Sequence, residues 1–262
     1  MTYCIGMRLD KGLVFLSDSR TNAGVDHIGT FRKMTVFERP GERVLVLLTA
    51  GNLGITQAVR RALLEPPAGT KTLWEAKSIY EAAMLVGDAV RFVYDRDAEH
   101  LKDMGIEFNC TLILGGQIKG ERPRLFHIYA AGNFIEAQDE NLYFQIGEAK
   151  YGKPIVDRVV TPSSTLEEAA KCALVSMDST LRSNISVGLP LDLLCYEADS
   201  LKVTRFVTID NDNAYFQMVR RTWGQRLKQV FIELPDPTWT PSESAPSTPV
   251  RSEEHTSELQ SH

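Results

Sequence analysis

The spacing of apolar residues along this chain switches back and forth between two periods, and the order of the switches restricts the fold. At the start Tyr3, Ile5, Met7 and Leu9 alternate with Thr2, Cys4, Gly6 and Arg8, the period of a half-buried strand. Asp10-Lys11-Gly12 is a turn whose glycine tolerates positive φ, and Leu13–Ser17 returns as the second arm of a hairpin. Phe31–Phe37 and Arg43–Leu48 flank Glu38-Arg39-Pro40-Gly41-Glu42 as a further hairpin. From Asn52 the apolar residues fall three and four apart, at Ile55, Val59, Leu63 and Leu64, then at Ile79, Ala82, Ala83, Val86, Val90 and Val93, which predicts two helices on one sheet face. Strands resume at Cys110–Gly116, Arg124–Tyr129 and Phe144–Gly147. Helical spacing returns at Lys153–Val160 and Leu166–Leu181, where Thr165 and Glu168 are spaced as a capping box. Strands Leu191–Tyr196 and Val203–Ile209 follow, and a last helix over Asn213–Leu227 carries Tyr215, Val219, Thr222 and Trp223 on one face. Strands in groups and helices in groups predict an α+β fold, a four-layer αββα sandwich, rather than the regular alternation of a doubly wound parallel sheet.

The 262 residues carry a formal net charge of −5, and 43% are hydrophobic. A basic face for nucleic acid is excluded by that balance. No apolar stretch approaches the ~20 residues that cross a bilayer, and the first ten residues are broken by charge too early for a secretory signal. Cys4, Cys110, Cys172 and Cys195 are scattered without a Cys-x-x-Cys pair, so they predict neither a zinc site nor a disulfide framework, but reduced thiols in the cytoplasm. No phosphate loop, paired-glycine dinucleotide motif or metal-spaced histidine cluster occurs, so no cofactor is expected. His27, His100 and His127 are each isolated and read as structural or surface histidines.

Composition changes near the C-terminus. Residues 235–250 hold five of the 12 prolines and little that could build a core, so 1–234 is expected to be the folded domain and 235–262 a disordered tail. Residues 251–262 resemble the conceptual translation of a common sequencing adapter and are expected to lie outside the fold. The tail carries −4 of the net charge, which leaves residues 1–234 at −1.

Thr2 follows the initiator methionine, and a small second residue is the situation in which that methionine is normally trimmed. The exposed threonine would then hold a hydroxyl nucleophile and, in its own α-amine, which ordinarily titrates at ~7.7–8.0, a base able to take the hydroxyl proton. Thr2 heading a strand, Gly12–Thr21 with Ser17-Asp18-Ser19-Arg20, Phe31-Arg32-Lys33-Met34, and Leu48-Thr49-Ala50-Gly51-Asn52 opening a helix together resemble the catalytic β-subunit of proteasome-type N-terminal-nucleophile hydrolases, over nearly all of residues 2–230. More narrowly, His27–Met34, Ala131–Glu136 and Gln145–Pro154 are similar to the bacterial branch called Anbu, the ancestral β-subunit.

The resemblance implies a threonine peptidase. Thr2 would be nucleophile and base, Lys33 a buried cation stabilising developing charge, and Asp18 the partner that keeps Lys33 charged. Gly51, where a strand ends and a helix begins, would leave unpaired N–H groups for an oxyanion. Thr21, Thr49 and Gly51 would bind an extended peptide by adding to it as a strand. Ser186 matches the family's serine beside the amine. The family's preceding aspartate is here Ser183, and the serine expected near Gly147 is here Glu148 or Ala149. Implied partners are a peptide or unfolded-protein substrate and further copies in a ring or open helix, with any unfoldase unnamed. Two alternatives stand beside this reading: a small-molecule amidase or acylase of the same superfamily, and a structural assembly subunit, which a retained Met1 would favour. Glu140–Gln145 is also identical to the recognition core of a viral protease used to remove purification tags.

Overall fold

The computed structural model describes residues 2–22 and 28–238, apart from the side chains of Asn22 and Ile28. Met1, His27, the tail from residue 239 and the adapter-like stretch 251–262 therefore lie outside the described residues; 235–238 are exposed coil. The elements in order are β1 Tyr3–Leu9, β2 Gly12–Asp18, β3 Arg20–Asn22, β4 Ile28–Thr30, β5 Met34–Arg39, β6 Arg43–Gly51, α1 Leu53–Leu64, α2 Ile79–Asp103, β7 Cys110–Ile118, β8 Arg124–Ile128, β9 Phe134–Glu136, β10 Tyr143–Gly147, α3 Lys153–Val159, α4 Leu166–Ser183, β11 Leu191–Glu197, β12 Arg205–Ile209 and α5 Ala214–Glu233. One unit ends at Gly224; a second, from Gln225, holds the rest of α5, where Leu227, Val230, Phe231 and Ile232 are exposed.

Two five-stranded antiparallel sheets form the first unit, in the orders β10-β1-β2-β11-β12 and β5-β6-β7-β8-β9, with β3-β4 as a separate hairpin. Because successive side chains point to opposite faces, each central strand feeds two cores. Ile5 and Met7 of β1 and Val14 and Leu16 of β2 pack with Ala173 and Met177 of α4. Leu45 and Leu47 of β6 pack with Val59 of α1 and Val86 and Val90 of α2. The alternate residues, Cys4, Leu13, Phe15, Val44, Val46 and Leu48, meet between the sheets. Helices thus cover both outer faces, as the grouped periodicities predict. Among the described residues no helix is long and apolar enough to cross a membrane.

Local signals set the helix starts. Thr165 and Glu168 form the expected capping box, and the Asn52 side chain accepts the Gly54 and Ile55 N–H groups to start α1. Gly12, at φ +143, closes the first hairpin where a Cβ would lie 1.9 Å from the Tyr196 carbonyl oxygen.

Several expectations shift. Leu64 is exposed, and α1 buries Thr56 with Ile55, Val59 and Leu63. In α5 Phe216 and Val219 are buried while Tyr215 is exposed, since an offset of one residue turns a side chain by about 100°. Phe31–Lys33 precede β5 as an irregular segment held by the Phe31 N–H on the Ser19 carbonyl. Strands β3, β4 and β9, three residues each, are too short to show a period. The bond after Gln145 lies within β10, where buried Phe144 and Ile146 pair with Gly6 and Cys4 of β1.

Candidate active site

Thr2 stands just before β1, between the ends of two neighbouring strands. On one side β10 pairs antiparallel with β1, Tyr3 opposite Gly147, and the Glu148 N–H donates to the Thr2 carbonyl at 2.7 Å. Gly147 has φ +82, and a Cβ there would sit 2.0 Å from that carbonyl oxygen, so this approach requires glycine. On the other side β2 runs antiparallel to β1 with Ser17 opposite Cys4, which puts Asp18, the last residue of β2, level with the start of β1.

Asp18 is fully buried. Its carboxylate accepts from the Tyr3 N–H at 3.0 Å, from Lys33 Nζ at 2.7 Å and from the Gly188 N–H at 3.3 Å. Lys33 is itself buried, and its ammonium also donates to the Arg20 carbonyl at 2.6 Å. Burial pushes the Asp18 carboxyl up, and the Lys33 ammonium and the two N–H donors pull it back. All three hydrogen bonds favour the ionised form, so the carboxylate is built into the strand end as the anchor of Lys33. The backbone of Lys33 is fixed in turn, because its carbonyl accepts the Thr49 N–H at 3.0 Å.

Gly51 ends β6 with φ +117, and a Cβ would approach the Asn109 carbonyl oxygen to 2.3 Å. The sequence position predicts several unpaired N–H groups here, but α1 uses most of them. The Asn52 N–H goes to the Asn109 carbonyl at 2.9 Å, and those of Gly54 and Ile55 go to Asn52 Oδ1 at 2.9 and 3.4 Å. A helix start that caps itself leaves less for a ligand than its place in the chain suggests.

Thr2, Thr21, Lys33, Thr49 and Gly51 all line one cavity of about 700 Å³, and Asp18 stands behind Lys33. The hydroxyl of Thr21 is buried and has no hydrogen-bond partner among the described residues. Ser186 is half-buried in the loop before β11 and is not among the residues lining the cavity; its N–H donates to Asn184 Oδ1 at 3.0 Å. That loop is nevertheless tied to the site. Asn184 Nδ2 donates to the buried Glu148 carboxylate at 3.1 Å, and Gly188 reaches Asp18. Arg20 packs so closely on Gly188 that a Cβ would meet its Nε at 2.1 Å, and its Nη1 donates to the Ile185 carbonyl at 2.8 Å.

The sequence does not mark Arg20, Glu148 and Asn184 as site residues, although Glu148 in place of an expected serine is an available signal. His127 is half-buried beside the Phe144 ring at 5.3 Å; burial lowers its pKa and its Nε2 lacks a partner among the described residues. The Cys4 thiol, pushed up by burial, donates to the Thr49 carbonyl at 3.8 Å. Among the described residues no group of three His, Cys, Asp or Glu is placed to hold a metal ion.

No family model matches the chain, and no curated protein matches it. Solved structures do. Anbu (ancestral beta-subunit) from Yersinia bercovieri is 53% identical with a TM-score of 0.84, covering 91% of this chain and 100% of that one. Anbu from Hyphomicrobium sp. strain MC1 is 49% identical with a TM-score of 0.82, covering 90% and 100%. A helical assembly of the Anbu complex from Pseudomonas aeruginosa is 48% identical with a TM-score of 0.86, covering 90% and 98%. With half of its residues identical over nine-tenths of its length, and the same fold, this chain belongs to the Anbu family, the ancestral β-subunit branch of the proteasome-type N-terminal-nucleophile hydrolases.

Proposed function

We propose that the protein is a threonine hydrolase that cleaves peptide amide bonds through Thr2 once Met1 has been removed. The observation that carries this reading is the Lys33–Asp18–Tyr3 N–H chain, which holds a buried ammonium at the wall of the cavity that Thr2 lines. Thr2 Oγ1 attacks the substrate carbonyl carbon and its proton passes to the α-amine, while the carbonyl electron pair moves onto oxygen. The oxyanion rests on the Gly51 N–H at the cavity wall, beside the N–H groups of Asn52, Gly54 and Ile55, which are engaged elsewhere. Collapse breaks the C–N bond, and the leaving amine takes the proton from the α-ammonium. Water then attacks the ester, gives its proton to the amine, and the acid leaves as Thr2 regains its hydroxyl. Lys33 lowers the proton affinity of the hydroxyl by its charge, and Asp18 keeps that charge in place. Ser186 and Glu148 act on the geometry of the amine end, through the loop that Asn184 ties to Glu148.

A cavity of about 700 Å³ bordered by the strand-like segment of Thr21 and by Thr49 suits an extended peptide. We assign the chain to the cytoplasm and to a homo-oligomer, ring-like or open helical; a helical assembly is what the Pseudomonas aeruginosa relative forms. Intact mass of the purified protein should lack Met1, and a threonine-directed peptide electrophile should add one mass per chain. Thr2→Ala should abolish that addition while leaving the circular dichroism unchanged. Labelling that survived Thr2→Ala would remove Thr2 from the mechanism, and a fully retained Met1 would favour a structural subunit.

A further inference from the structure

The walls of the Thr2 cavity are charged with one sign. Arg20, Arg32, Lys33 and Arg60 line it, and among the described residues no Asp or Glu does. This is a local property, because the whole chain carries a net charge of −5. The four cations are not equally committed. Lys33 is held by Asp18 at 2.7 Å and by the Arg20 carbonyl, and Arg20 is spent on the Ile185 carbonyl. Arg32 is loosely placed: its side chain is 60% exposed, 3.9 Å from Asp192, and its Nη2 donates to Thr208 Oγ1 at 3.4 Å. Arg60 is exposed and has no ion pair or hydrogen bond from its side chain among the described residues.

Arg60 nevertheless belongs to the cavity by helix geometry. Asn52, Leu53, Thr56, Gln57 and Arg60 recur at the spacing of one helix face, and all of them line the cavity, so α1 presents a polar wall ending in an unpaired guanidinium. A concave wall of one sign focuses its field on whatever enters, and a guanidinium recognises a carboxylate through two parallel N–H donors. Elsewhere on the wall Gln57, Asn109 and Thr111 offer polar groups, and no described residue there brings an opposing charge.

We propose that the cavity selects acidic peptides, with Arg60 the specificity-determining residue that pairs with a Glu or Asp side chain of the bound chain and Arg32 adding to the field. The inference rests on the peptide reading of the site. Arg60 lies eight residues along α1 from the Asn52 cap, about 12 Å, so the acidic side chain stands up to about four residues of extended peptide from the reacting carbonyl.

Binding to the full chain as the Thr2→Ala variant, which removes cleavage, tests it by anisotropy of peptides that carry a neutral dye and paired Glu, Gln or Lys. The Glu peptide should bind about tenfold more tightly than the Gln peptide, and the Lys peptide more weakly still. Raising salt from about 50 mM to about 500 mM should erase most of that preference. Arg60→Gln should shrink it, and Arg60→Glu should reverse the order of the Glu and Lys peptides. Equal binding of the Glu and Gln peptides, or a preference that persists in Arg60→Glu, overturns the charge selection and leaves the peptide reading standing. Binding of none of the three overturns the peptide reading and the selection with it.

Discussion

Asp18 and Asp178 are both buried and both pair with cations, and their surroundings differ. Asp18 sits at the end of a central strand with a single ammonium, Lys33, whose side chain is 8% exposed. Asp178 sits in α4, and its two guanidinium partners, Arg182 from the next turn and Arg220 from α5, are 58% and 36% exposed. The outer pair rests two charges partly in water and can lose one partner. The inner pair keeps one cation out of water beside the cavity, with only main-chain donors in reserve. Taking an ammonium out of water is costly, and a fold keeps such a group most readily where its charge acts on something else.

The comparison can be broken by mutation. Lys33→Met should cost the most, about 3–5 kcal/mol in urea unfolding, because it strands a buried carboxylate. The sign of its pH dependence follows from Asp18. A carboxyl whose folded pKa is raised above its unfolded value adds stability at low pH that is lost as pH rises through the folded value. Without Lys33 the upward push is larger, so the loss relative to the parent should be greater at pH 8 than at pH 5; a pH-independent difference would remove Asp18 from the explanation. Next, removing Arg182 and Arg220 together should approach that loss, while Arg220→Ala alone should cost only about 1 kcal/mol, since Arg182 still covers Asp178. Additive single and double effects would show that the two arginines do not share the carboxylate.

The smallest expected effect concerns the thiols. Burial pushes Cys110 up to about 12 and Cys172 and Cys195 up to about 11, and Cys4 is raised further. Only the thiolate reacts, so iodoacetamide at pH 8 should leave all four unmodified in the native protein and label all four after denaturation. Labelling of Cys4 in the native state would mean that the region beneath Thr49 opens.

Much of the fold was legible because period survives in long elements. Ile79, Ala82, Ala83, Val86, Val90 and Val93 on α2 are buried as their spacing predicts, whereas β1, whose alternation predicts a half-buried strand, also buries Cys4 and Gly6 because the second sheet covers its other face. β3, β4 and β9 carry no period at three residues each, and Leu64 and Tyr215 missed the buried face because the neighbouring residue occupied it. At the site, Thr2, Asp18 and Lys33 could be named from sequence. Glu148, Asn184 and Arg20 could not be connected, because their partners lie 36 to 165 residues away.

The sequence by itself determined the grouped strands and helices and the family motifs, since each rests on spacing between neighbours in the chain. Only the tertiary structure gave the 2.7 Å contact by which Asp18 holds Lys33, and decided that Asn109 and the Asn52 side chain take the N–H groups of Asn52, Gly54 and Ile55 and that four cations face one cavity in a chain of net negative charge. Charge and hydrogen bonding act through distance in space, and the chain sets that distance only once its strands are paired.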